Sequence, residues 1–296
     1  MSIKTVAILS PGEMGSAIGG AFAKHGFKII TVLGGRSEPT RDRARAAGFQ
    51  DGGSLADIVA AADMVLSIMP PEFALAQAEA TAAAMRQTGA TPPYADCNAV
   101  SPETAKRIGR IITDAGADFI DGGIIGSPPD GVQPPARLFV SGVGAEAMAV
   151  FDGKGIIVRQ CGPEIGRGSA VKMAYAGITK GTSALHAAML IAAEQLGVAD
   201  ELHEELQSSQ AVMYKRMEAM TPALPAVSDR YVGEMLEIAQ TMAAHGVPPG
   251  FHEGAADLYR LLAKSPFASE RRDTVDKNRT LRETIEVCAR VIGDRK

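Results

Sequence analysis

The chain is poor in the residues that build covalent staples and metal cages. It has three cysteines in 296 residues, Cys97, Cys161 and Cys288, and they lie far apart. No C-x-x-C pair and no His-x-x-x-His pattern occurs. That argues against a disulfide scaffold or a structural zinc site and suits a reducing compartment. There is no basic excess, since 30 Lys and Arg stand against 34 Asp and Glu for a net charge of −4. Nucleic-acid binders carry a basic footprint, so that class is disfavoured. No apolar run approaches the roughly 20 residues that span a bilayer. The start runs straight into "IKTVAIL", too short and too early for a signal peptide. The expectation is a cytoplasmic protein with neither membrane nor nucleic acid as partner.

What is present divides into two halves of different character. The length is comfortable for two domains. In the first half, strand-like runs alternate with alanine-rich helical stretches. "TVAILS", "KIITVLG", "ADMVLSIMPP", "PYADCN", "DFIDGG", "ARLFVSG" and "GIIVRQCG" read as strands. "MGSAIGGAFAKHG", "TRDRARAAGF", "ALAQAEATAAAMRQTG" and "SPETAKRIGRIITDAG" read as helices. Alternation at this spacing predicts right-handed βαβ units and a mainly parallel sheet. Beyond about Gly162, apolar residues recur at helical spacing through to a short amphipathic segment at the end. The expected division is residues 1–163 for the α/β domain and 164–296 for an all-helical one.

The stretch "VAILSPGEMGSAIGG" nearly spells G-x-G-x-x-G, with Ser10 and Pro11 in place of the first glycine and its neighbour. Its context is that of a dinucleotide loop, a strand before it and a helix after it. Gly12 would let backbone approach a pyrophosphate, and Gly15 would let the helix, which opens with Glu13 and Met14, pack on the strand. Amides at the helix start, aided by the dipole, favour an anion. Pro11 cannot donate, and it holds Ser10 extended. Glu13 would repel a phosphate, so its side chain is expected to point away. An NAD site usually places Asp or Glu about 20 residues on. Here Arg36 and Ser37 stand in that region, followed by Arg41 and Arg43. A guanidinium suits a 2′-phosphate, which favours NADP over NAD. Arg43 and Arg45 equally suit a solvated helix face.

These segments, in this order, resemble the β-hydroxyacid dehydrogenase superfamily, which includes 3-hydroxyisobutyrate and 6-phosphogluconate dehydrogenases and has imine reductases as relatives. "GEMGSAIGGAFAKHG" is similar to the family's glycine loop, and "GGRS" to the N-R-T or N-R-S of NADP-dependent members. "ADMVLSIMPP" resembles the strand whose exit, here Met69-Pro70, lines the cofactor. "DCNAVSPETAKRI" resembles D-x-S-T-x-x-P, "DFIDGGIIGSPP" resembles D-A-P-V-S-G-G, and "GRGSAVKMAYAG" resembles G-x-x-x-K-x-x-N-N. The resemblance implies a Rossmann-type, doubly wound, mainly parallel sheet followed by an all-helical C-terminal domain. It also implies an NADP-dependent oxidoreductase acting on a small β-hydroxy acid or related alcohol, with Lys172 as general acid/base.

The departures bear on the substrate. Tyr175 and Ala176 replace the two asparagines, and Tyr175 at i+3 either supplies a hydroxyl or belongs to the core. Ile125 takes the serine position, followed by Gly126 and Ser127, which suggests a less polar substrate group or a substitution by Ser127. Asn98 replaces a serine and could still bond substrate or nicotinamide. Imine reductases generally lack the lysine, so its retention leans towards carbonyl chemistry. An imine reductase and a catalytically silent NADP-binding protein remain as alternatives. Arg230 with Tyr231 offers a carboxylate partner or a plain helix start, and His252 is more often structural. Alanine and methionine richness after residue 166 suggests a homodimer through the C-terminal helices.

Overall fold

The computed structural model describes residues 3–270 and 274–293. The chain forms two compact units, Met1–Tyr175 and Ala176–Lys296. In the first, β1 (Thr5–Ile8) leads to α1 (Glu13–Lys24), β2 (Lys28–Thr31), α2 (Glu38–Ala46), β3 (Gln50–Asp51), α3 (Leu55–Ala61) and β4 (Met64–Ser67). Then come α4 (Ala74–Thr88), β5 (Tyr94–Asp96), α5 (Pro102–Thr113), β6 (Phe119–Ile125), β7 (Ala136–Ser141) and β8 (Ile156–Gln160). The eight strands form one sheet in the order β3-β2-β1-β4-β5-β6-β7-β8. Every pairing is parallel except β6 with β7.

Two-sided burial explains why the strands read as continuous apolar runs. Val6, Ile8, Met64 and Leu66 face one core with α1, Phe49 and Phe151. Ala7, Leu9 and Val65 face the other, against α3, α4 and α5. Successive side chains of one strand thus serve opposite faces, as the period of 2 requires. Helix starts follow local chemistry where it is available. Ser54 accepts from Asp57 N while Asp57 returns the bond, a capping box on α3. Ser101 caps α5, with Pro102 at its first position.

β3 and α3 are additions to the sequence reading, which passed over "SLADIVAA" because seven residues carry little periodicity. The second unit is helical as expected. α6 (Arg167–Leu196) runs across the boundary between the units, and α7 (Ala199–Ser209), α8 (Ala211–Met220), α9 (Ser228–Ala244), α10 (Gly250–Leu262) and α11 (Leu281–Gly293) follow. The stretch read as one helix from Glu201 to Met220 breaks at Gln210, whose φ of −133° and ψ of 41° are not helical. His203 Nδ1 lies 2.8 Å from Tyr214 Oη and ties the two pieces together. Arg279 grips both Glu270 oxygens and Pro222 O. Among the described residues, no helix is long and apolar enough to cross a membrane.

Candidate active site

Three segments singled out by sequence converge on the carboxyl edge of the sheet. Ser10–Gly15 follows β1, Met69–Pro70 follows β4 and Asn98 follows β5. β1 is where the strand order turns, with β2 and β3 to one side and β4 onward to the other. Loops leaving neighbouring strands at such a point diverge and open a crevice, the usual ligand site of this architecture.

The glycine loop leaves room in front of α1. Gly12 precedes the helix in an extended conformation and supplies no side-chain cap. A Cβ placed on it meets nothing within 4 Å. The protein's own packing therefore does not demand glycine here. Gly15 differs, since its Cβ would sit 2.5 Å from Ser10 O and force α1 off β1. Pro11 is buried, and its carbonyl accepts the Ser16 hydroxyl at 2.8 Å. Ser16, to which the sequence reading gave no role, so closes the loop from the helix side. Ser10 and Met14 are half-buried, whereas Glu13 is exposed at the first position of α1. First-turn amides without intrahelical acceptors, a favourable dipole and open space together fit a dinucleotide pyrophosphate.

Past the end of β2 lies a cavity of about 450 Å³, lined by Leu33, Gly34, Arg41, Arg45, Phe49 and Asp51. The sequence reading rested the cofactor argument mostly on Arg36 and gave Arg43 and Arg45 equally to a solvated face, and Arg45 is exposed here although it borders the cavity. Arg36 sits in the turn before α2, its amide bonded to Leu33 O at 3.2 Å, and does not line the cavity. Ser37 precedes α2 and is also outside the lining, its hydroxyl 3.0 Å from Thr40 Oγ1. The reason is helical phase, because Arg41 and Arg45 are one turn apart on the face towards the cavity. Arg41 pairs with Glu38, and Arg45 lies 2.9 Å from Asp42 and 3.6 Å from Glu38.

Asn98 is placed at the site but committed elsewhere. It is buried, and its Oδ1 accepts from Met69 N at 2.6 Å. Its Nδ2 donates to Ser67 Oγ at 2.9 Å and to Asp96 Oδ1 at 2.6 Å. Both amide hydrogens are spent inside the protein, which leaves none to donate to a ligand. What Asn98 does instead is pin the exit of β4, so that Met69 and exposed Pro70 hold their place.

Lys172 stands on a shelf made by missing side chains. A Cβ on Gly123 of β6 would lie 2.7 Å from Lys172 Cβ and 2.6 Å from Gly168 O. A Cβ on Gly168 would lie 2.6 Å from Phe139 O. Glycine at both positions lets α6 rest directly on β6 and β7. Lys172 is half-buried, but Ala170, Val171 and Ala174 are exposed, so the surroundings are less apolar than the sequence suggested. Tyr175 is 47% exposed, which removes the core alternative for it. Ile125 is buried at the end of β6, Gly126 turns the chain with φ of 126°, and Ser127 follows half-buried.

Beneath the shelf lie two carboxyl groups that the sequence reading did not use. Asp121 is fully buried in β6. Its Oδ2 accepts from Gly166 N (3.0 Å), Ser169 N (3.0 Å) and Ser141 Oγ (2.8 Å), and its Oδ1 accepts from Ser169 Oγ. Ser141 Oγ in turn accepts from Gly168 N at 3.1 Å. Asp96 lies opposite Asp121 in the β5–β6 register, and its Oδ2 has no hydrogen-bond partner. Burial, then the charge of Asp121, pushes the Asp96 carboxyl up to about 7. Burial likewise raises the Cys97 thiol well above its usual range, which makes it inert packing. One signal in the sequence pointed here, an aspartate inside the otherwise apolar strand "FIDGGII".

In the second unit, Arg230 and Tyr231 belong to a half-buried cluster. Lys180 pairs with Glu234, and its ammonium lies 4.1 Å from the centre of the Tyr231 ring. Arg230 lies 3.7 Å from Glu234. Burial lowers the Lys180 ammonium from its usual range despite that partner. His252 Nε2 lies where a Cβ on Gly177 would come within 3.1 Å of it. Among the described residues, no cluster of His, Cys, Asp and Glu could hold a metal ion.

The chain is similar to known proteins over most of its length. Residues 5–151 match the NAD binding domain of 6-phosphogluconate dehydrogenase, and residues 193–262 match a domain of unknown function (DUF1932). An uncharacterised oxidoreductase of Synechocystis is 24% identical, over 84% of this chain and 89% of its own. A conserved protein of unknown function, MTH1747, described as structurally similar to 3-hydroxyacid dehydrogenases, is 28% identical. It covers 87% of this chain and 98% of its own at a TM-score of 0.64. Mycobacterium tuberculosis 3-hydroxyisobutyrate dehydrogenase with L-serine shares the fold at 0.67 and 18% identity, over 96% and 99% of the two chains. An imine reductase from Myxococcus stipitatus with NADP+ shares it at 0.57 and 16% identity, over 96% and 99%.

Proposed function

Because the chain belongs to the β-hydroxyacid dehydrogenase superfamily of NAD(P)-dependent oxidoreductases, we propose that it moves a hydride between NADP and a small β-hydroxy acid or related alcohol. The observation that carries this reading is Lys172 seated against Gly123, on the same strand edge as the open glycine loop. When bound, the nicotinamide supplies or takes up the hydride at the substrate carbon. Lys172 gives a proton to the carbonyl oxygen as that carbon is reduced, and takes it back in the reverse direction. Gly12, Met14 and Gly15 present backbone to the pyrophosphate, with Ser10, Met69 and Pro70 beside it. Arg41 and Arg45, which line the cavity past the end of β2, support NADP over NAD, since a guanidinium suits a 2′-phosphate. Titration with NADPH and NADH tests the preference, and tighter NADH binding would overturn it.

The substrate side is short of hydrogen-bond donors. Asn98 is spent internally, and Ile125 and Ala176 are apolar. This supports a substrate less polar than those of familiar members, with Ser127 and Tyr175 as its hydroxyl partners. Lys172→Ala is expected to lose about 10²–10⁴-fold in kcat while NADPH binding survives. Turnover near the wild-type value in that variant would refute the role. The same Ile125 and Asn98 observations keep imine reduction as a second reading. Cyclic imines against hydroxy acids, followed at 340 nm, separate the two. Cofactor binding without turnover on either would point to a silent NADP-binding protein.

A homodimer through the helical unit is the assembly we favour. Ile178, Leu185, Met189 and Leu196 are exposed on α6 at spacings that put them on one stripe. An apolar stripe of that length calls for a partner. A monomeric mass by light scattering at micromolar protein would exclude it. The three unpaired cysteines support a reducing setting, and we place the activity in the cytoplasm.

A further inference from the structure

We propose that Asp121 is the positioning residue of Lys172, a carboxylate lent by the sheet to cap the helix that carries the lysine. The assignment rests on the catalytic reading of Lys172.

α6 has no cap of its own. It starts after Gly166, whose φ of 102° and missing side chain rule out the usual Ser, Thr, Asp or Asn cap. Arg167 and Gly168 follow. A buried helix start with orphan amides is costly unless acceptors are found. Here they come from 45 to 48 residues away in sequence, since Asp121 Oδ2 takes the amides of Gly166 and Ser169. Ser141, itself bonded to Asp121, takes the amide of Gly168. The Ser169 hydroxyl closes on Asp121 Oδ1. Every one of these groups is buried.

The same contacts fix the lysine. Ser169 is one turn before Lys172 on the same helix face. Holding Ser169 by both its amide and its hydroxyl sets the rotation and the axial height of that turn. The glycine contacts at Gly123 and Gly168 set its distance from the sheet. Hydrogen bonds to a carboxylate are stronger and more directional than neutral ones. Asp121 consequently controls where the lysine stem begins without touching substrate or cofactor. It also fills the positive end of α6, which takes that helix start out of competition for an anionic ligand.

The test reads Lys172 directly. Lysines are reductively dimethylated with ¹³C-formaldehyde and a borane reductant in the full-length protein, and the Lys172 resonance is assigned with Lys172→Arg. In Asp121→Asn, the Lys172 resonance is expected to move and broaden, while that of Lys180 stays in place. With a panel of 3-hydroxy acids and NADP+, kcat is expected to fall about 10²-fold, as for a catalytic group displaced by about 1 Å. The NADPH Kd by fluorescence is expected to stay within about twofold. Ser169→Ala keeps the carboxylate and gives the same changes at about a tenth of the size in kcat, and it decides the matter if Asp121→Asn does not fold. A Lys172 resonance and kcat at wild-type values in either folded variant would overturn the proposal. If the wild type turns over no 3-hydroxy acid, the reaction fails as a reading, and the resonance still decides the role of Asp121.

Discussion

Two helices that start within the first unit, α1 and α6, begin in the same way and end up in opposite surroundings. Each follows a glycine, Gly12 or Gly166, that has no side chain to cap it. In front of α1 the space is open, because a Cβ on Gly12 meets nothing. In front of α6 the space is filled by Asp121 and Ser141. The start of one helix faces open space. The orphan amides of the other are consumed by the protein to make a fixed platform. An uncapped helix start is therefore ambiguous until its surroundings are known.

The largest expected effect tests the filled side. The folded chain holds a proton on Asp96 that the unfolded chain releases above its ordinary carboxylate range. Stability from that proton is full below about pH 4 and is lost as pH rises towards about 7. A shift of about three units corresponds to roughly 4 kcal/mol across that window. Asp96→Asn cannot titrate, so urea unfolding at pH 4.5 and pH 8 should show the variant losing far less than the wild type. Equal losses in the two proteins would remove Asp96 as the source. Next in size is Gly123→Ala, whose new methyl would press on Gly168 O and Lys172. We expect about 3 kcal/mol of destabilisation by thermal or urea unfolding, together with a loss of turnover. The smallest effect on stability falls on the open side. Gly12 has φ of −69° and ψ of −168°, which alanine accepts. Gly12→Ala should unfold within about 0.5 kcal/mol of wild type and yet bind NADPH at least tenfold more weakly by fluorescence titration. Unchanged NADPH binding would mean that the space before α1 is not the pyrophosphate site.

The α/β order, the mainly parallel sheet and the change to helices were legible because they rest on local periodicity. β1, α1 and β4 stand where alternating and helical patterns put them. Short elements were not legible, α3 for want of length and the break at Gln210 for want of a glycine or proline to mark it. Motifs singled out Lys172 and the glycine loop as candidates. Which of Arg36, Arg41 and Arg45 border the cavity past β2 was not legible, because it depends on where α2 begins and which way its face turns.

From the sequence alone came a nucleotide-type loop, a lysine near a helix start and the change from α/β to helical order. These are properties of residues close together in the chain, and local pattern is enough to express them. Only the tertiary structure decided that Asn98 is spent on Met69, that Arg45 rather than Arg36 borders the cavity, and that Asp121 caps a helix beginning more than forty residues later. Hydrogen-bond partners that distant leave no periodic trace. They meet because the sheet register brings β6 and β7 beneath α6, and the register is a property of the whole fold.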